Sequence, residues 1–376
     1  MIAVIYPTIL HPDSDGKPVR YFDIRKLTEG ECLRLMDVSE ENIHTLVSSP
    51  QLSKSAVYKL AGNSIVVSCL YHIFKNIWLT EPEIEAIPSL FPEETFRADI
   101  PQTINLVTLC SGYDSQLMAL HRLCEEATRQ GYDTKPNLLA WAEFDPDSKK
   151  PIEQQPAVIA HNLLFPEYAD RNLGDMTKID WASWRAAHPE EVDILTYSTP
   201  CQSISQAGKR AGIAKGSGTR SAVLWYTEEA IRTLRPKFLL QENVKALCNK
   251  VNKPDFEQWQ SVCRLLGYTN YWAVLNAKDF GVPQNRERVF MLSVRDDLSL
   301  PCYKFPKPFK LDKVVADILD TDEEVSQSYY LRPEGVINFL QANETQSPDQ
   351  PIYIITDHYL TPQEIITIRK ERLQKS

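Results

Sequence analysis

The sequence lacks the features by which several large classes of protein are recognised. Its 376 residues include eight cysteines with no Cys-x-x-Cys pair and no zinc-ligand spacing, which argues against a disulfide framework or a zinc site. No segment approaches the roughly 18 apolar residues of a membrane-spanning helix, and the short apolar amino terminus has no basic leader. Internal repeats and low-complexity tracts are also missing. We therefore expect a reduced, cytoplasmic, globular protein without a metal.

An excess of basic charge is missing as well. The formal net charge is -9 at pH 7, which by itself argues against a nucleic-acid partner because phosphate contacts favour basic surfaces. Basic residues nevertheless cluster locally, so an acidic body with a basic cleft is compatible with this total. The clusters are Lys209, Arg210, Lys215 and Arg220, then Lys245, Lys250 and Lys253, and finally Lys304, Lys307, Lys310 and Lys313.

Strand-like apolar runs alternate with helical patterns through the middle of the chain. Such alternation predicts an α/β fold with a doubly wound, mostly parallel sheet, whose ligands bind at the carboxyl ends of the strands. The length favours a second, smaller domain beside this one. The predicted strands cover residues 104–109, 138–143, 192–197, 238–240 and 289–294.

Changes in this pattern predict four segments. Residues 1–80 contain two helical patterns, of which the first has Thr28 and Glu31 at the capping-box spacing. Residues 81–102 are acidic and proline-rich, which is typical of a linker. Residues 103–298 form the predicted α/β domain, and residues 299–376, where the pattern loosens, form the predicted smaller domain.

The predicted strand at residues 192–197 ends at Ser198-Thr199-Pro200-Cys201-Gln202 and brings a thiol to the edge where ligands bind. Because the thiolate is the nucleophile, a reactive Cys201 needs electropositive or proton-accepting neighbours. Taken alone, Cys201 is explained equally well as a small buried residue that closes a strand. The other residues predicted at this edge decide between the two interpretations.

Three further positions have polar residues suited to a nucleoside. The turn Ser111-Gly112-Tyr113-Asp114 precedes a helix whose amino terminus can receive the polar end of a cofactor; without the full Gly-x-Gly-x-x-Gly pattern, a dinucleotide is not indicated. Glu143 can accept hydrogen bonds from ribose hydroxyls, beside Phe144 as a flat surface for a base, and Asp175 can accept from an adenine amino group. Each acid is also explained as a cap or turn residue, but their order favours an adenosine-containing cofactor.

Two more motifs supply an acid and two guanidinium groups. Glu242, in Glu-Asn-Val after the strand at residues 238–240, can hold a ring nitrogen together with an exocyclic amine, or donate a proton to the ring. Arg286 and Arg288 precede the last predicted strand, where alternate residues face the same side, and one guanidinium can bind a carbonyl oxygen. A helix cap at Glu242 and a salt-bridged hairpin at the arginines are the structural alternatives.

In combination, these motifs resemble the DNA cytosine-5 methyltransferases. The Ser-Gly turn, the two acids, Pro-Cys-Gln, Glu-Asn-Val and Gln-x-Arg-x-Arg occur in that family's order through residues 104–294. Residues 25–35 and 58–64 resemble the family's ninth and tenth motifs, which usually come last. Here they come first, so the sequence resembles a circular permutation joined by the linker. Residues 299–376 then fall where the family keeps its target-recognition region.

The resemblance implies a role for each matched residue. Cys201 is expected to be the nucleophile and Glu242 the acid partner of the cytosine, while Arg286 and Arg288 are expected to contact the base and its surroundings. Cys110 replaces the family's usual phenylalanine, and Asp114-Ser115 replaces its later glycines, which bears on cofactor affinity and not on the reaction. The residues expected around S-adenosylmethionine are Ser111, Gly112, Glu143, Phe144, Asp175, Pro200, Asn63 and Ser64.

The implied activity is methyl transfer from S-adenosylmethionine to carbon 5 of a cytosine flipped out of double-stranded DNA, through a covalent Cys201 adduct. We expect a monomer with DNA as its partner, no membrane and no metal, acting in restriction-modification or another form of DNA protection with a cognate restriction endonuclease. A transfer-RNA cytosine methyltransferase would use the same residues. A nucleotide enzyme of the thymidylate synthase kind would not need Glu143 and Asp175 as adenosine ligands, and a non-catalytic DNA-binding module would not need Cys201, Glu242 and Arg288 together.

Overall fold

A computed structural model describes residues 3–12, 18–79, 96–200, 220–321 and 325–330. The chain divides into two compact units: the smaller combines Met1–Cys32 with Val314–Ser376, and the larger is Leu33–Lys313. Residues 299–313 thus group with the larger unit, while the predicted four-segment division stays a prediction. Three parts of the chain that were used in the predictions lie outside the described residues. They are Cys201 with the basic segment after it, residues 80–95, which include most of the predicted linker, and residues 331–376.

The smaller unit contains an antiparallel hairpin of β1 (Ala3–Pro12) and β2 (Pro18–Lys26), and α1 (Glu29–Arg34) begins in it. The capping box forms: the Thr28 hydroxyl accepts from the Glu31 amide at 3.1 Å, and the Glu31 carboxylate accepts from the Thr28 amide at 2.7 Å. Arg25 pairs with Glu31 at 2.7 Å with both side chains inaccessible to solvent. The amide of Asp320 donates to Glu31 at 2.9 Å, so both chain segments of this unit join one buried network.

The larger unit is organised around a six-stranded sheet with strand order β4-β3-β5-β6-β8-β7. The first four strands in that order run parallel, and β8 and β7 run antiparallel at one side. The predicted doubly wound, mostly parallel sheet is therefore confirmed. The strands are β3 (Thr103–Leu109), β4 (Lys135–Ala142), β5 (Ile194–Tyr197), β6 (Phe238–Val244), β7 (Tyr268–Asn276) and β8 (Glu287–Arg295).

Helices connect the parallel strands and cover the sheet. The connection before β6 begins as a 3-10 helix, Arg220–Tyr226, and becomes α-helical only afterwards. Strand β7 and the helix before it have no counterpart in the sequence prediction, because β7 does not alternate strictly between apolar and polar residues. The helices of this unit are α2 (Glu40–Ser48), α3 (Lys54–Asn63), α4 (Val67–Trp78), α5 (Ser115–Arg129), α6 (Pro156–Leu164), α7 (Trp181–Ala187), α8 (Thr227–Leu234) and α9 (Lys253–Leu265).

Helix α4 is buried within the larger unit because apolar residues cover most of its circumference. Leu70, Ile73 and Ile77, predicted on one helical face, have no accessible surface. Trp78 contacts the ring of Phe238 in β6 edge-on, with the ring centroids 5.6 Å apart. Residues 65–79 therefore belong to the same core as the sheet.

Two features are absent from the part of the chain that the structure describes. Among these residues, none of the helices combines the length and the apolar character needed to cross a bilayer. Across the same residues, no group of three or more His, Cys, Asp and Glu side chains is arranged to hold a metal ion.

Candidate active site

The turn between β3 and α5 has an unusual backbone. Cys110, Gly112 and Asp114 all have positive φ angles, of 54°, 60° and 66°, a conformation that glycine adopts without steric strain. The amide of Gly112 donates to the Glu143 carboxylate at 2.7 Å. A Cβ built on Gly112 would meet no heavy atom within 4 Å, so the turn faces open space. The Ser111 hydroxyl is buried and has no hydrogen-bond partner among the described residues.

Asp114, which stands where the family has a glycine, has a structural role. Its carboxylate accepts from the Leu117 amide at 2.9 Å, capping α5, and from the Thr108 hydroxyl at 2.8 Å. His161 Nε2 lies 3.6 Å from the same carboxylate, and both side chains are fully buried. Asp114 thus ties the end of β3 to the start of α5.

Cys110, the other departure from the family pattern, packs its sulfur 3.5 Å from that of Met176. Burial raises the pKa of the Cys110 thiol, and the Glu143 carboxylate adds to the shift. The thiol is therefore held protonated, and it occupies the position as an apolar side chain.

Glu143 follows β4 and lies beside the Gly112 turn. Burial raises the pKa of Glu143, and the hydrogen bond from Gly112 opposes the shift. The Asn172 side chain accepts from the amides of Glu143 at 3.2 Å and Gly174 at 2.9 Å, joining the end of β4 to the next loop. Sequence reasoning did not identify Asn172, since one asparagine in a loop gives no distinctive signal.

Asp175 lies in that loop and forms a local turn. Its Oδ1 accepts from the Thr177 amide at 3.1 Å and hydroxyl at 2.8 Å, and its Oδ2 lies 3.2 Å from Lys178 Nζ. Partial burial raises the Asp175 pKa, but the Thr177 hydrogen bonds and Lys178 outweigh it, so the pKa is lowered overall. Lys178 Nζ also lies 6.0 Å from the Phe144 ring centroid, which brings Phe144 and Asp175 to one neighbourhood.

The connection between α3 and α4 reaches the Gly112 turn from elsewhere in the chain. The hydroxyl oxygens of Ser64 and Ser115 are hydrogen-bonded at 2.8 Å, and Ser115 is the first residue of α5. Asn63, the last residue of α3, is exposed. Lys59 Nζ lies 3.4 Å from the carboxylate of Asp145, two residues after Glu143.

Glu242 lies near the end of β6 and is 8% exposed. Its Oε2 accepts from the Ser198 hydroxyl at 2.6 Å, and Arg288 Nε lies 3.2 Å from its Oε1. The Asn243 side chain donates to the Thr199 carbonyl at 3.0 Å. The residues leading to Pro200 are therefore bonded to the neighbouring strand, immediately before Cys201, which lies outside the described residues.

The two arginines of Gln-x-Arg-x-Arg have different partners. Arg288 lies beside Glu242, whereas the Arg286 guanidinium donates to the carbonyls of Gly62 at 3.0 Å and Ser64 at 2.6 Å. Arg286 precedes β8, which begins at Glu287, so the strand alternation used in the prediction does not extend to it.

The site thus has two neighbourhoods: a turn with an acid suited to a nucleoside, and a buried acid beside the segment that enters Pro-Cys. The family model of the C-5 cytosine-specific DNA methylases matches residues 153–372, more than half of the chain. The chain belongs to this family. The matched part includes both the Pro-Cys-Gln motif and Glu242, whereas residues 25–35 and 58–64 lie before it.

Several individual methyltransferases are similar to this chain over part of their length. The type II methyltransferase M2.ScrFI of Lactococcus lactis subsp. cremoris is 42% identical over 175 residues, 46% of each chain. The orphan methyltransferase M.SssI of Spiroplasma monobiae is 42% identical over 159 residues, 40% of this chain and 41% of its own. The type II methyltransferase M.HhaI of Haemophilus parahaemolyticus is 32% identical over 186 residues, 50% and 54% of the two chains.

The chain spans about half the length of the curated relatives it matches. Among solved structures, that of a Spodoptera frugiperda DNMT2 variant is similar with a TM-score of 0.43 and 19% identity, over 65% of this chain and 66% of that one.

Proposed function

We propose that the protein transfers a methyl group from S-adenosylmethionine to carbon 5 of a cytosine in double-stranded DNA. The observation that carries this proposal is the position of Glu242, fixed by Ser198 and Arg288 beside the segment that enters Pro200-Cys201. A buried carboxylate at this place suits a heterocycle with a ring nitrogen and an exocyclic amine. Family membership indicates the cytosine ring.

Each residue of the target pocket has a chemical task. The Cys201 thiolate adds to carbon 6, which makes carbon 5 enamine-like and nucleophilic. Glu242 holds the ring nitrogen and amine, while Arg288 fixes the carboxylate and contacts the base or its surroundings. Carbon 5 would then bond to the methyl group as the bond between that methyl group and the donor sulfur breaks and S-adenosylhomocysteine leaves, after which loss of the carbon 5 proton to water expels the thiolate and restores the ring double bond. Removing the base from the duplex costs a few kcal/mol, offset by contacts in the pocket.

The residues around the Gly112 turn fit S-adenosylmethionine, which supplies an electrophilic methyl group. The unpartnered Ser111 hydroxyl and the open space at Gly112 leave room for a polar group. Glu143 is placed to accept from ribose hydroxyls, Phe144 to cover a base and Asp175 to accept from its amine. Pro200, Asn63 and Ser64 are proposed to border the same pocket.

The partners follow from this assignment. Double-stranded DNA is favoured over transfer RNA because the related proteins are named type II or orphan methyltransferases. A type II name also supports a restriction-modification role with a cognate endonuclease. We assign phosphate contacts to Lys304, Lys307, Lys310 and Lys313, which are exposed. The loop at residues 202–220 is proposed to close over the flipped base.

We also propose that the motif order is permuted. The hydrogen bond between Ser64 and Ser115 and the burial of α4 support this, since residues 33–80 that the structure describes group with the sheet. The division into a permuted segment at residues 1–80, a linker at 81–102, a catalytic domain at 103–298 and a target-recognition domain at 299–376 belongs to the same proposal.

The nucleophile is tested with Cys201→Ala and DNA containing 5-fluorocytosine. The alanine variant is expected to bind S-adenosylhomocysteine as the wild type does and to transfer no methyl groups, because the thiol contacts the base and not the cofactor. The wild type should be trapped covalently on fluorinated DNA, since fluorine cannot leave as a proton does. Residual turnover by Cys201→Ala, or an adduct at another residue, would falsify the assignment. Methyl incorporation into duplex DNA and transfer RNA, compared in parallel, tests the substrate.

A further inference from the structure

Arg286 contacts a different part of the molecule from its neighbour in the same motif. Its guanidinium donates to the carbonyls of Gly62 and Ser64 at 3.0 and 2.6 Å, whereas Arg288, two residues later, lies 3.2 Å from the Glu242 carboxylate. The backbone amide of Arg286 is bonded to the Asn276 side chain at 3.0 Å, so the guanidinium extends from a fixed position.

The carbonyls that Arg286 binds are ones that need a partner. Gly62 lies in the last turn of α3 (Lys54–Asn63), where carbonyl groups have no intrahelical donor. A cation is favoured at this end of a helix, and hydrogen bonds from a charged donor are stronger than those between neutral groups. One terminal nitrogen of the guanidinium, Nη2, donates to both carbonyls, which is possible because that nitrogen carries two N–H groups held in the rigid guanidinium plane.

The segment held in this way borders the Gly112 turn. Ser64 is hydrogen-bonded to Ser115 at 2.8 Å, the first residue of the helix that follows the turn, and Gly112 is bonded to Glu143 at 2.7 Å. A second charged contact links α3 to residues near the Gly112 turn. It joins Lys59 and Asp145 at the longer distance of 3.4 Å, and the Lys59 side chain is 66% exposed. Exposed pairs of that kind contribute little.

We propose that Arg286 is a positioning residue of the cofactor site and not a contact of the target base. It holds the α3–α4 connection against the start of α5, so that Ser64 lines the pocket beside the Gly112 turn. Residues 286–288 then link the two halves of the site, since Arg286 anchors the cofactor side and Arg288 orients the acid on the target side. This inference rests on the proposed function for the identity of the cofactor.

The test measures S-adenosylhomocysteine binding to the full chain by calorimetry without DNA. Arg286→Ala is expected to raise the Kd about tenfold to a hundredfold, in line with one lost charged hydrogen bond. Arg286→Lys should give a Kd between those of the wild type and Arg286→Ala, because an ammonium group keeps the positive charge and hydrogen-bond donors but lacks the fixed planar geometry of the guanidinium. Arg288→Ala is the matched control: it removes a guanidinium two residues away and should leave the Kd within about twofold of wild type.

Steady-state methylation of duplex DNA separates positioning from base contact. Arg286→Ala should raise the KM for S-adenosylmethionine and keep most of kcat once the cofactor is saturating, whereas Arg288→Ala should lose kcat with an unchanged cofactor KM. Thermal unfolding of each variant checks folding, and Arg286→Lys replaces the alanine variant if that one does not fold.

Two results overturn the inference. One is an Arg286→Ala or Arg286→Lys variant that binds S-adenosylhomocysteine like the wild type but has a lower kcat. That result would assign Arg286 a contact with the target base. The other is a wild-type chain that binds no S-adenosylhomocysteine. A chain that binds it with the expected Arg286 dependence but methylates no DNA contradicts the proposed function and supports the positioning role.

Discussion

Ser198 donates a hydrogen bond of 2.6 Å to Oε2 of Glu242 and so joins the ends of two adjacent parallel strands. Arg288 approaches the other carboxylate oxygen at 3.2 Å. These two partners fix the plane of the Glu242 carboxylate. One of them, Ser198, lies only three residues before Cys201 in the neighbouring segment. A rigid acid in this position presents its oxygens to a ring in a constant orientation, which catalysis requires.

We predict that Glu242→Gln lowers the rate of methyl transfer at least about a hundredfold, the usual contribution of a group that transfers or holds a proton. Binding of S-adenosylhomocysteine should be unchanged, because Glu242 lies on the target side. Tritiated methyl incorporation and calorimetry measure the two effects. The control is Glu287→Gln, which removes an exposed carboxylate at the start of the neighbouring strand β8, paired with Lys245 at 2.8 Å. Equal losses in both variants would contradict a special role for Glu242.

We predict that Gly112→Ala weakens S-adenosylhomocysteine binding while Gly131→Ala does not. Both glycines have positive φ angles, of 60° and 90°, and an added Cβ meets no atom within 4 Å at either one. Both substitutions should therefore lower the free energy of unfolding by about 1 kcal/mol through the backbone alone. Only the Cβ at Gly112 enters the space assigned to the cofactor. Denaturant unfolding and calorimetry separate the two effects, and equal affinities for the two variants would disprove the location.

We predict that cofactor affinity falls as the solution is made acidic. The Glu143 pKa is raised above 4.5 by burial, while the Asp175 pKa is lowered. As the pH falls through the raised value, Glu143 takes up a proton and no longer accepts from both ribose hydroxyls, whereas Asp175 stays ionised. Calorimetric titration of S-adenosylhomocysteine at several pH values should show this loss in the wild type. Glu143→Gln should bind S-adenosylhomocysteine more weakly than the wild type and without this pH dependence. If the affinity of Glu143→Gln changed with pH in parallel with that of the wild type, Glu143 would not be the titrating group.

The same shift has a consequence for stability. An acid whose folded-state pKa is raised binds more protons in the native state, so its contribution to stability decreases as the pH rises through the window between the two pKa values. The free energies of unfolding of the cofactor-free wild type and of Glu143→Gln should therefore be compared at two pH values. Relative to Glu143→Gln, the wild type should be less stable above that window than below it. Denaturant unfolding on both sides of the window measures the difference.

We predict that Arg25→Ala lowers the free energy of unfolding by about 3–5 kcal/mol, because it leaves the buried Glu31 carboxylate without its partner. The two side chains are inaccessible and their atoms are 2.7 Å apart. Arg34→Ala is the control: its pair with Glu40 has the same 2.7 Å separation, but the Glu40 side chain is 68% exposed. That variant should lose at most about 1 kcal/mol. Similar losses in urea unfolding would show that burial does not decide the effect.

We predict that Lys307→Ala and Lys310→Ala weaken DNA binding equally for every sequence and each reduce the salt dependence by about one phosphate contact. Lys135→Ala is the control. This exposed lysine is the first residue of β4, whereas the site lies at the other, carboxyl end of that strand. Fluorescence anisotropy at several salt concentrations measures both quantities. A change in which sites are methylated would assign base contacts to these lysines instead.

Several local features of this protein are determined by its sequence alone. The capping box of Thr28 and Glu31 and the buried face of α4 involve residues within one or two helical turns, so spacing along the chain specifies them. The parallel strands were predicted for a similar reason, since continuous apolar runs are typical of strands buried on both faces. The resemblance to the DNA cytosine-5 methyltransferases was also carried by short motifs of this local kind.

Contacts between distant residues were decided only by the tertiary structure. Arg286 and Arg288 have the same residue type and stand two positions apart, and the sequence predicted one role for both. The structure separates them because β8 begins between them, so one guanidinium reaches α3 and the other reaches β6. The same holds for Ser198 and Glu242, which lie 44 positions apart in the sequence and are brought together by the pairing of β5 with β6. Spacing along a chain specifies neighbours within an element, whereas the partners of a long side chain depend on which elements the whole core brings together.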